Sequence, residues 1–94
     1  MTETGEDRAA VWRTDLDALE FAVGAGAALV HRLAFRALLD GPATAESCMA
    51  FFAANRGLFR AAAEAKIARA GLPSDARFHL TSRDLRRAVH PRSD

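Results

Sequence analysis

In the stretch "LEFAV", Leu19, Phe21 and Val23 alternate with Glu20 and Ala22, a period of two that sets three apolar side chains on one face of an extended chain. Beyond the glycines of "GAGAA", Leu29, His31 and Leu33 alternate with Val30 and Arg32. Two alternating runs about a glycine-rich centre predict a β-hairpin from about Leu19 to Leu33, with its turn at Gly24 to Gly26. The competing reading is one helix from about Gly26 to Leu39, because Leu29, Leu33 and Ala37 also recur at helical spacing. A dinucleotide-binding loop is set aside: Leu29 stands where its third glycine is needed, and no lysine-bearing phosphate loop occurs in the chain.

Upstream, "AAVWR" (9–13) predicts a further strand, turned by "TDLD" into the Leu19 strand. Downstream, "FRALLDGP" predicts a short helix stopped by Gly41 and Pro42. Thr44 then caps a helical run, "AESCMAFFAANRGLFRAAAEAKIARA", that Gly71 and Pro73 terminate. Straight, this run would span about 39 Å, more than the roughly 30 Å of a small domain, so it either bends near Gly57 or protrudes towards a partner. "RFHL" (77–80) alternates as an edge strand, and Thr81 or Ser82 caps a last helix closed by Pro91. The fold expected is α+β: a small antiparallel sheet of hairpin plus edge strands packed on a long helix, straight or kinked, with an all-α helical hairpin as the alternative. Phe21, Leu33, Phe52 and Phe59 are expected to share one core.

Length makes this a single domain, 1–94, with frayed ends at 1–8 and 90–94. Half the residues count as hydrophobic, but alanine supplies much of that total, so the core is thin and association with another chain would help it. A net charge of +1 gives no global field to draw in nucleic acid or anionic lipid. The apolar run Phe21–Val30 is too short to span a bilayer, and the acidic start "MTETGEDR" is unlike a secretory signal. Cys48 is the only cysteine, which leaves no intrachain disulfide and points to a cytoplasmic protein.

The order of elements resembles a family of small bacterial proteins known as domain-of-unknown-function family 1488. The resemblance rests on Trp12, then Leu19 and Phe21, Gly24 or Gly26, Leu29 and Leu33, and Ala37 and Leu38. It continues through Phe52, Asn55, Arg56, Phe59, Ala63 and Lys66 to Leu80, Thr81, Ser82, Asp84 and Leu85. Two positions depart from it: Ala34 replaces a usual hydroxyl residue, which would cost the short helix its side-chain cap, and His31 replaces a small Cys-like residue. The resemblance implies an α+β fold with an antiparallel sheet and implies no activity.

No ligand-pair or nucleophile motif links the histidines, Cys48 and the carboxylates, so no catalytic, metal or cofactor site is assigned and no small-molecule ligand is named. Cys48 reads as a small core residue and His31 as a satisfied, partly buried imidazole. Asn55 and Lys66 fall in the apolar sector of the long helix with Arg56 at its edge; with His31 they are candidates for a polar pocket, as against separate structural bonds. On the other side of that helix Ala50, Ala54, Gly57, Ala61, Ala65 and Ala68 form a seam of small residues. The seam suggests a homodimer of two antiparallel copies about an axis near Gly57 to Ala61, the alternative being that alanine is simply a good helix former. Arg77, Arg83, Arg86 and Arg87 are the candidates for nucleic-acid binding, for which a solvated basic face is the preferred explanation because Asp84 lies among them and stacking residues are few. The function expected is thus a non-enzymatic, self-associating interaction or regulatory module, with weak nucleic-acid binding or an enzyme of unknown class as alternatives.

Overall fold

A computed structural model describes residues 10–89. Along the chain these form β1 (Val11–Arg13), β2 (Ala18–Val23), β3 (Gly26–His31), α1 (Arg32–Arg36), α2 (Ala45–Ala54), α3 (Arg56–Ala70), β4 (Arg77–Leu80) and α4 (Ser82–Val89). The expected frayed ends 1–8 and 90–94 lie outside the described residues. The α+β expectation holds. One expectation about the sheet does not: its order is β1-β2-β3-β4, with β1, β2 and β3 antiparallel in turn but β4 parallel to β3. All of α1, α2 and α3 lies between β3 and β4, and a crossover of that kind returns the chain in the direction it left. The alternation in "RFHL" identifies a strand but carries no direction.

The hairpin pairs Ala18 with His31 through to Val23 with Gly26, leaving Gly24 and Ala25 as its two-residue connection. Gly24 has φ of 59°, the left-handed region that glycine enters at no steric cost. Gly26 is needed for a different reason. The backbone of the loop before β4 crosses it, with Ala27 N–H donating to Ala76 O and Ala25 N–H to Ser74 O, and a Cβ at residue 26 would sit 2.0 Å from Ala76 O. Gly26→Ala is therefore expected to cost about 2 kcal/mol, within the range for forced overpacking, read as a lower urea midpoint at unchanged m-value. A loss under about 0.5 kcal/mol would show that this crossing can relax.

The hairpin ends at His31 rather than Leu33. The imidazole Nδ1 accepts from Leu33 N–H at 3.1 Å, capping α1 at residue 31, so the helix starts before "FRALL" and does not need a hydroxyl at Ala34. Leu33 accordingly turns outward, 56% exposed, and is not a member of the expected core. Thr44 caps α2 as predicted, exchanging bonds with Ser47. The long helical run is broken, but at Asn55 rather than Gly57: Asn55 has φ −133° and ψ 37°, and its side-chain amide donates to Phe51 O, diverting the backbone from the ladder. Gly71, at φ 66°, ends α3 as predicted.

One face of the sheet, with Trp12, Leu19, Phe21, Ala28, Val30, Phe78 and Leu80, packs under the helices, while the alternate residues Glu20, Ala22, Ala27, Leu29, Arg77 and His79 lie on the other. All six phenylalanines of the chain lie in or against the core. Phe59 is fully buried, with ring centroids of Phe21, Phe35, Phe51 and Phe52 at 5.1 to 6.2 Å. Cys48 is buried too, as expected, and burial pushes its thiol up, away from the reactive thiolate.

Candidate functional site

The four residues proposed for a polar pocket do not converge, and each finds a separate partner. His31 caps α1, Asn55 bonds Phe51 O, and the Arg56 guanidinium lies 5.5 Å from the Phe52 ring centroid. Lys66 reaches in another direction: its ammonium donates to His79 O at 2.7 Å and to Asp84 Oδ2 at 2.9 Å. That first bond occupies a backbone acceptor of β4, an edge strand of the sheet.

Asp84, which sequence reasoning passed over as one acid among arginines, is the one buried charged residue among those described and gathers several partners. It is 7% exposed and accepts from Lys66, from Arg69 at 2.9 Å, and from the N–H and hydroxyl of Thr81. Burial by itself would raise its pKa, but the Thr81 and Lys66 bonds outweigh burial and hold the carboxyl below the usual aspartate range. A signal for this was present in the spacing. Thr81 and Asp84 stand as a capping pair, and on a helix Asp84 lies on the same side as Leu85 and Ala88, which face the core.

On the open face of the sheet, Glu20 is gripped by Arg77 at 2.8 Å and by Arg13 at 2.6 Å, and these two guanidiniums hold its carboxyl low. Arg77 is thus committed to a carboxylate and separates from the other three arginines of the nucleic-acid candidates. Glu20 and Arg77 also line a depression of about 270 Å³, together with Ala22, Ala27 and Asp75. No group of three or more metal-ligating side chains occurs among the described residues.

The remaining candidates are surfaces. Ala50, Ala54, Gly57, Ala61, Ala65 and Ala68 are all exposed, but the break at Asn55 puts Ala50 and Ala54 on α2 and leaves the other four along α3. Arg83, Arg86 and Arg87 are exposed on α4. No helix among the described residues is long and apolar enough to cross a membrane. Comparison with protein-family models, curated proteins and solved structures finds no match.

Proposed function

We propose that the protein is a non-catalytic interaction module that works as a homodimer, with two copies of α3 packed antiparallel across Gly57, Ala61, Ala65 and Ala68. The observation that carries this reading is that these four exposed positions follow one another along an unbroken helix, flanked on one side by Arg60 and Glu64. Small side chains let two backbones approach closely, so dispersion contacts offset the modest area each alanine buries. A two-fold axis between Ala61 and Ala65 sets Gly57 against Ala68 of the second copy and Arg60 against Glu64 of the second copy. A parallel pairing would instead put the two charged flanks on opposite sides of the contact and leave Arg60 and Glu64 without this cross-pairing. This axis lies nearer the middle of α3 than the unbroken helix suggested. A reducing, cytoplasmic setting suits the lone buried Cys48.

The test is an arginine at the centre of the contact. Ala61→Arg should halve the mass measured by light scattering and leave far-UV helicity unchanged, because Ala61 touches solvent rather than core. An unchanged mass for Ala61→Arg, or a parent that is monomeric at high micromolar concentration, would remove this interface.

A further inference from the structure

Among the described residues, two sets of basic side chains stand apart. Arg13, Arg32, Lys66, Arg69 and Arg77 each donate to a carboxylate, and Arg56 lies over Phe52. Arg83, Arg86 and Arg87 have no such partner among the described residues, and all three are exposed. They share one helix and, at 3.6 residues per turn, fall within about 100° of its circumference. The one acid of α4, Asp84, points the other way and is neutralised by Lys66 and Arg69. Arg36, a fourth exposed guanidinium with no carboxylate partner among the described residues, ends α1, which packs against α4. Among the described residues, three guanidiniums with no carboxylate partner are therefore gathered on one arc of α4, and the helix that carries Arg36 packs against it.

The chemistry of this face selects its partner. A membrane-lying helix must sink an apolar face into lipid, but Leu85 and Ala88 of α4 are already packed in or against the core. A protein partner would look for an apolar or aromatic anchor among the charges; the arc holds only guanidiniums, and Val89 lies outside it. A phosphodiester backbone needs nothing more than charge and forked N–H donors. No phenylalanine or tryptophan is exposed among the described residues, so a stacking platform of the kind that binds single strands is absent from this face. We infer that Arg83, Arg86 and Arg87, with Arg36 at the margin, bind the phosphate backbone of duplex nucleic acid without regard to sequence. This is independent of the dimer, and it reverses the solvated-face reading because Asp84 does not lie on that face.

Three phosphate contacts predict a slope of about −3 in log affinity against log salt, a fall of roughly 40-fold or more between about 50 and 200 mM. The measurement is anisotropy of a short fluorescein-labelled DNA duplex of mixed sequence titrated with the full chain. Arg83→Gln/Arg86→Gln/Arg87→Gln should lose at least about 20-fold at the lower salt and flatten the slope, while Arg83→Gln alone reduces it by about one. The corresponding triple lysine variant should keep most of the binding and the slope, which separates charge from folding. No anisotropy change at low salt, or an unchanged slope in the glutamine variant, overturns the assignment. So does equal or tighter binding to phosphatidylserine vesicles or to polyglutamate at the same salt.

Discussion

Phe59→Ala is expected to destabilise the protein by about 3–5 kcal/mol, the range for removing a fully buried phenylalanine, and to lower Tm by roughly 15–30 °C in a domain of this size. Phe59 is 0% exposed and touches phenylalanine rings from β2, α1 and α2, so its removal opens a cavity where three elements meet. The surroundings can collapse only in part, because Phe21 and Phe35 stand on elements held by the sheet and by the His31 cap. Leu33→Ala is the internal comparison. At 56% exposure it should cost less than about 0.5 kcal/mol despite an equally hydrophobic side chain. Urea unfolding of both variants checks the pair, and a loss below about 1 kcal/mol for Phe59→Ala would place it outside the core.

Leu33 shows why the sequence misled at that point. Its alternation with Leu29 is real, but the strand ends when His31 offers a ring nitrogen to Leu33 N–H, and from there the period changes from two to 3.6. A histidine cap carries little weight beside Ser, Thr, Asp or Asn, whereas Thr44, which has the usual chemistry, was legible at once. The helix break followed the same logic. Gly57 drew attention as the poorer helix former, yet nothing within 4 Å makes use of its missing side chain, and it lies quietly in the first turn of α3. Asn55 breaks the helix because it supplies a competing bond as well as low propensity. What could not be read was anything dependent on distant partners: the parallel placement of β4, the crossing at Gly26, and the pairing of Arg77 with Glu20. The surfaces were legible as lists of residues but not as geometry. Which arginines a carboxylate engages depends on where the fold puts Asp15, Asp17, Glu20 and Asp84, and nothing local in the sequence encodes that.

Asp84→Ala is expected to cost about 3 kcal/mol. The loss combines the cap on Thr81 with two cations that lose their shared acceptor, and Arg69, at 45% exposed, recovers part of its share from water. The same carboxylate sets a pH dependence. Its folded pKa is lowered, so its contribution is fully present above the unfolded aspartate pKa of about 4 and fades as pH falls through and below that value towards the folded one. Wild type should therefore lose stability between about pH 5 and pH 2 more steeply than Asp84→Asn, which keeps the shape and discards the titration. Lys66→Met tests the partner. In a double-mutant cycle with Asp84→Asn the two changes should couple by more than about 0.5 kcal/mol, since they remove one interaction from both ends. If the acid limb of the stability curve is the same for wild type and Asp84→Asn, and the cycle closes to zero, Asp84 is not what clamps α4 onto α3.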